Sequence, residues 1–141
     1  MKFELISLAG SKVNESVHEV IVPTIDGEIA IFPDHEALVS VAKPGVISVR
    51  RDKHHSDEQL EYYAISGGVI EIANNQVRVL VDDAESGEEI VESESRAALE
   101  RAMKLRDQAT NQVELEKAHQ LVDRHAVRLK VADLHRRKRR L

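Results

Sequence analysis

The side chains most able to do chemistry in this 141-residue chain are a few histidines with carboxylates beside them. His35 stands between Asp34 and Glu36, an arrangement that would serve proton transfer if it were held in a cleft. It sits instead in a polar stretch just after Pro33, where a histidine is more often a surface contact than a catalyst. His54 and His55, with Asp52 and Asp57, would hold a metal ion loosely. One loop without a second ligand cluster makes a weak chelator, and a solvated hairpin tip accounts for the same residues. Gly67-Gly68 lies between two β-type runs and reads as a turn or bulge rather than a phosphate cradle. Walker loops, dinucleotide turns and Ser–His–acid spacings are lacking. The chain has no cysteine, which excludes disulfides, thiolate zinc sites and cysteine nucleophiles together. The expectation is a non-enzymatic chain with no catalytic, cofactor-binding or metal-ligating residues.

Charge points to recognition instead. The formal net charge of -5 conceals an asymmetry. Residues 1–84 carry 7 Lys+Arg against 14 Asp+Glu, and residues 85–141 carry 13 against 11. The last six residues, Arg136-Arg137-Lys138-Arg139-Arg140-Leu141, hold five positive charges. An acidic front and a basic tail suit two surfaces with different partners. The tail would attract nucleic acid electrostatically, but the remainder is acidic and offers few aromatics for stacking bases, so a solvated, disordered tail or a tail bound to an acidic protein surface fits better. No apolar run approaches the ~20 residues needed to span a bilayer. Met1 to Leu8 alternates polar and apolar residues, unlike a signal or transit peptide. A cytosolic chain, with a peripheral place on a membrane complex left open, is the expectation.

Two periodicities divide the elements that must position these residues. From Met1 to about Asp83 the period is two. Strands are expected over 1–8, 18–22, 28–31, 37–41, 46–50, 60–65, 69–73 and 77–82, each enriched in β-branched residues. Asp26-Gly27, Pro33-Asp34, Pro44-Gly45, Gly67-Gly68 and Asn74-Asn75 supply turns between them, and Arg51–Glu58 reads as an exposed hairpin loop. Many short strands with frequent turns indicate a sandwich or flattened barrel. From Ser86 the period becomes about 3.6. Ser86 with Glu89 has the form of a capping box, and Asn111 with Glu114 repeats it. Ala98, Ala102, Leu105 and Ala109 form one stripe, and Ala118, Val122, Ala126 and Leu129 another. The predicted fold class is α+β: an all-β sandwich over 1–84, then an antiparallel helical hairpin with a basic tail over 85–141. Alanine seams bury little area, so the hairpin should need support from the sandwich or a partner.

Taken together, these segments resemble the epsilon subunit of bacterial F-type ATP synthase over nearly the whole chain. Thr24-Ile25-Asp26-Gly27-Glu28-Ile29-Ala30-Ile31-Phe32-Pro33-Asp34-His35-Glu36-Ala37-Leu38 looks like that family's signature, followed by its turn at Lys43-Pro44-Gly45-Val46-Ile47. Tyr63–Ile72 and Asn75–Ala84 match its late strands. The resemblance implies a ten-stranded sandwich at the foot of a central rotor stalk, touching the gamma subunit and the c ring. Carried over residue by residue, Glu28 and His35 become contacts to those partners. It further implies a hairpin with two poses, folded on the sandwich or extended toward the alpha/beta catalytic head. In the extended pose Arg124, Arg128 and Lys130 would meet an acidic segment and inhibit hydrolysis. The implied location is the cytoplasmic face of a bacterial plasma membrane, held peripherally, with no nucleic acid bound.

One departure bears on cofactors. Some members bind ATP through an Ile/Leu-Asp-x-x-Arg-Ala motif at the first helix. Here Arg96-Ala97 is preserved, but Glu92 and Ser93 replace the apolar residue and the Asp. No high-affinity ATP site is expected, and no other cofactor. The competing reading is a free-standing sandwich-plus-hairpin adaptor, or a nucleic-acid regulator acting through its tail. Co-purification with gamma separates the first reading from the second.

Overall fold

The computed structural model describes residues 1–139, so the basic run expected at Arg136–Arg140 ends, at Arg140, outside the described residues. Ten strands precede two helices: β1 (Lys2–Ser7), β2 (Gly10–Ser16), β3 (Glu19–Thr24), β4 (Gly27–Ile31), β5 (Leu38–Ala42), β6 (Gly45–Arg50), β7 (Glu61–Ile65), β8 (Gly68–Ala73), β9 (Gln76–Val81), β10 (Ala84–Ser86), then α1 (Glu92–Asp107) and α2 (Gln112–Arg139). The strands form one sheet in the order β10-β7-β6-β3-β5-β8-β9-β1-β2, with β4 paired to β3 alone. Every pairing is antiparallel except β1 with β9. A single bridge, Thr24↔Ala42, joins β3 to β5. There the sheet folds over into a sandwich.

Period-two alternation places the core. Phe3 and Leu5 of β1, Val20 and Val22 of β3, Ile47 and Val49 of β6, Ile70 and Ile72 of β8, and Val77 and Val79 of β9 all point inward. With aromatics this scarce, β-branched side chains fill the interior, and they also favour strand backbone. Asn74 and Asn75 both adopt positive φ (52° and 57°), the conformation a two-residue hairpin between β8 and β9 demands.

Two strands lie outside the eight expected from periodicity. β2 buries Val13 alone and otherwise presents polar side chains, because it is an edge strand with little to cover. β10 has three residues, too few to show a period, and is held by pairing Ser86 with Tyr63 and Ala84 with Ile65. This pairing also corrects the expected helix start. Ser86 and Glu89 do exchange backbone and side-chain hydrogen bonds, but they close a turn, since Ser86 is tied to the sheet edge and the Gly87 N–H donates to the Tyr62 carbonyl. Helix α1 begins at Glu92, behind a Val91 N-cap that lacks a side-chain bond. At Asn111 the expectation holds: its Oδ1 accepts from the Glu114 N–H at 2.9 Å, and Glu114 reaches back to the Thr110 N–H at 3.0 Å.

The hairpin seams also differ from the expected stripes. Ala102 and Ala118 are buried where α1 meets α2, but Leu105 is 53% exposed and Ala126 faces solvent. Their places are taken by Ser95, fully buried, and His125, half-buried. The cause is that α2 must satisfy two neighbours. One side meets α1, while Val127, Val131 and Ala132 pack on Ala64, Ile90, Val46 and Tyr62 over β6 and β7. A helix serving two faces cannot keep a single apolar stripe.

Ser95 leaves its hydroxyl buried without a hydrogen-bond partner. An orphaned hydroxyl costs about 1–3 kcal/mol, and Ala exceeds Ser in helix propensity. Ser95→Ala is therefore expected to stabilise the hairpin by roughly 1 kcal/mol, read as slower amide exchange in α1 and α2 with the sandwich unchanged.

Candidate partner-binding surfaces

Three surfaces remain once the core is closed: the outer face of the β5-β8-β9-β1 layer, the loops around β4, and the arginine-bearing side of α2.

The first is apolar. Val41 pairs with Val69, Val69 with Leu80, and Leu80 with Ile6, so these four form one row across four strands on the side away from the core. Val41 is 50% exposed and Val39, two residues earlier on the same face, is 72% exposed. Val69, Leu80 and the turn residue Leu8 are also open to solvent. Helix α2 packs on β6 and β7, so the hairpin does not lie across this row. A contiguous apolar row of this kind on a folded surface marks a docking site. Periodicity marks these residues only as strand formers, because which strands become neighbours is a matter of topology.

Glu28 and His35 both lie at the surface, Glu28 exposed and His35 half-buried. Glu28 is the second residue of β4, beside the β3–β4 turn, and His35 follows the far end of that strand, so β4 itself runs between them. His35 Nδ1 donates to the Glu36 carbonyl at 2.7 Å, and the Asp34 N–H donates to Asn75 Oδ1 at 2.9 Å, which braces this loop on the β8–β9 turn. In the β6–β7 loop, Asp57 accepts from Arg50 at 2.5 Å and Asp52 caps the His54 N–H at 2.9 Å. The Arg50 guanidinium is held protonated above its ordinary range by Asp57 first and Glu19 next. Among the described residues no three His, Asp or Glu side chains come together as a metal site.

The third surface is ionic. Arg124 reaches Asp83 at 2.5 Å and Arg128 reaches Glu85 at 2.9 Å. Farther along α2, Arg136 Nη1 donates to both carboxylate oxygens of Glu92 at 3.0 and 3.1 Å, and Glu92 also accepts from Arg96 at 3.0 Å. Asp133 accepts from both Arg136 and Arg137. Lys130 is exposed and has no ion pair among the described residues. The Arg124 pair is open to water and contributes about 0–1 kcal/mol. The Arg128 pair is mostly shielded and contributes more, about 1.5–3 kcal/mol for a charged hydrogen bond. His125 lies between them, its Nδ1 facing Arg128 Nη1 at 3.5 Å. Burial first, then the charges of Arg128, Arg124 and Arg101, hold this imidazole below its ordinary value, while Glu85 pulls the other way. Packing of the hairpin therefore gains from neutral His125 above about 6.5, and loses that contribution as pH falls through the depressed value.

Comparison with known proteins agrees with this architecture. The family model described as "ATP synthase, Delta/Epsilon chain, beta-sandwich domain" matches residues 1–87. The ATP synthase epsilon chain of Herpetosiphon aurantiacus is 33% identical over 138 residues, covering 96% of each chain. That of Synechococcus elongatus is 43% identical over 86 residues, 60% of this chain and 58% of that one. Among solved structures, a chain of the Euglena gracilis mitochondrial ATP synthase (OSCP/F1/c-ring) superposes with a TM-score of 0.77 at 22% identity, covering 92% of this chain and 79% of that one. A chain of the Tetrahymena thermophila mitochondrial ATP synthase central stalk/c-ring gives 0.61 at 17% identity, covering 94% and 96%. At these identities the two superpositions speak for the shared fold. With a family match over the sandwich and a relative aligned through the hairpin as well, this chain belongs to the ATP synthase delta/epsilon family, as an epsilon-type, non-catalytic subunit.

Proposed function

We propose that this chain joins the gamma subunit to the c ring in the rotor of an F-type ATP synthase, and that its hairpin restrains ATP hydrolysis by the alpha/beta head. The observation that carries the first part is the outward row Val41, Val69, Leu80 and Ile6, an apolar stripe left uncovered by the chain's own hairpin. Such a stripe on an acidic domain fits an elongated protein partner better than nucleic acid. Glu28 and His35, at opposite ends of β4, supply polar contacts at the rim of the same domain, toward the ring. No described helix is long and apolar enough to cross a membrane. In this reading the chain is held peripherally on the cytoplasmic face by its partners.

The restraining role is supported by weak attachment. The hairpin is held to the sandwich by one small apolar cluster and a few ion pairs, and elements with two poses are separated by only a few kcal/mol. Arg124, Arg128 and Lys130 then become the cations presented to the head when the hairpin lifts.

Reconstitution of the assembled enzyme tests both parts. Val41→Asp with Val69→Asp should abolish co-purification with gamma while leaving the chain folded, because both side chains face outward. Deleting residues 87–141, which preserves β10, should raise ATP hydrolysis several-fold without detaching the sandwich. Retained gamma binding by the first variant, or unchanged hydrolysis by the second, would sink the corresponding half.

A further inference from the structure

We propose that Asp83 and Glu85 form an intramolecular decoy that occupies the arginine row of α2, so that lifting of the hairpin is an exchange of one carboxylate partner for another. This rests on the restraining role proposed above and adds what sets its threshold.

The geometry is a matched ladder. Arg124 and Arg128 are one helical turn apart, about 6 Å along α2, and Asp83 and Glu85 are two residues apart in the extended segment entering β10, about 6.6 Å. Equal spacing lets both rungs close at once, Arg124 on Asp83 at 2.5 Å and Arg128 on Glu85 at 2.9 Å. While the hairpin is down, both arginines are engaged by carboxylates of the chain itself, Arg128 largely shielded and Arg124 still half open to water.

The ladder is also incomplete. Arg128 directs Nη2 at Glu85 and Nη1 at His125, but its Nε–H is buried with no acceptor. His125 Nδ1 is a distant acceptor at 3.5 Å and is crowded by Arg124 and by Arg101 of α1. A guanidinium with five donors is poorly served by one carboxylate oxygen here, and an acidic helical segment could satisfy it two-pronged. The closed state thus holds Arg128 well enough to hide it and not well enough to keep it. Lys130, exposed and two residues beyond Arg128, is unpaired among the described residues and stays available as a first point of encounter.

The absence of native cysteine makes the test direct. The full chain carrying Ser16→Cys on β2 and Gln120→Cys on α2, both exposed positions, takes a donor–acceptor dye pair that reports the hairpin pose without any enzyme activity. In low salt, Asp83→Asn with Glu85→Gln should raise the open-to-closed ratio roughly three- to tenfold over the parent chain. Sodium chloride should bring the parent toward the variant by screening the ladder. Poly-L-glutamate should open the neutralised variant at lower concentration than the parent. Exchanging the charges, Glu85→Arg with Arg128→Glu, should restore the closed pose. If the neutralised variant keeps the parent's transfer efficiency and salt curve, with its β-sheet circular dichroism intact, the decoy does not exist. If the pose shifts but hydrolysis by the assembled enzyme does not, the decoy stands and the restraining role falls.

Discussion

Gly68→Ala is expected to cost the sandwich on the order of 3 kcal/mol. Gly68 has φ +157°, and a Cβ built there would lie 1.9 Å from the Leu80 carbonyl oxygen and 2.9 Å from its carbon. Those are backbone atoms of the neighbouring strand, so no side-chain rotation relieves the overlap. Gly68 pairs with Val81 on β9 and with Ala42 on β5, so both flanking strands would have to part at the point where the apolar row crosses them. A domain of this size is stable by about 5–15 kcal/mol, and the loss corresponds to a fall in Tm of roughly 12–24 °C. Gly10→Ala is the control. Gly10 also has positive φ, +119°, but nothing stands within 4 Å of its built Cβ, so only backbone strain of about 1 kcal/mol applies. Thermal unfolding of the two variants side by side checks this. Equal shifts would mean that backbone strain, and not the approach of β8 to β9, makes Gly68 necessary.

Val131→Asp has the second largest effect, and it falls on a different part of the molecule. Val131 is fully buried in the small cluster of Ala64, Ile90 and Ala132 that holds α2 on the sheet. A carboxylate there finds no cation facing it in that cluster, and burying an unpaired charge costs several kcal/mol. Lifting α2 into water costs less, because the cluster has few large side chains, each contributing about 1.5–3 kcal/mol. The hairpin should therefore detach as a unit while the sandwich core, built from other residues, stays folded. The expected signature is rapid proteolysis after residue 87 with sandwich amide protection unchanged. A hairpin as protected as in the parent would show that the ion pairs at Asp83 and Glu85 hold it without the apolar contact. Val131→Ala, which removes contact without adding charge, should give an intermediate result.

These two substitutions separate the forces at work. The sandwich is held by a continuous apolar interior, where removing any backbone fit is felt throughout. The hairpin is held by a patch and a ladder, which is the condition for having two poses within a few kcal/mol. Gly87 shows how close the fit is at the junction, since a Cβ there would stand 2.6 Å from His135 Cβ on the last turns of α2.

Much of this was legible in the residues alone. Period two over the first part and period 3.6 over the second separated sandwich from hairpin, because burial on one face of a strand or helix forces those repeats whatever the topology. Turn residues placed the strand ends, and Asn111 with Glu114 placed the start of α2, since capping is a local hydrogen-bond problem. The residues that carry the family resemblance were visible for the same reason, as short local patterns in fixed order.

Other features depended on which elements became neighbours. Ser86 and Glu89 have the pattern of a helix cap, yet Ser86 belongs to β10, because Tyr63 offers it a sheet partner. β2 carried no period because an edge strand covers little. Ala126 left the seam because α2 serves the sheet as well as α1. The apolar row across β5, β8, β9 and β1 and the pairing of Arg124 and Arg128 with Asp83 and Glu85 join residues up to 74 positions apart, as Ile6 with Leu80 shows. Sequence determined the elements, since propensity, capping and periodicity act over a few residues. Only tertiary structure decided which charges meet and which apolar side chains stay bare, since those depend on strand order and on where the hairpin comes to rest.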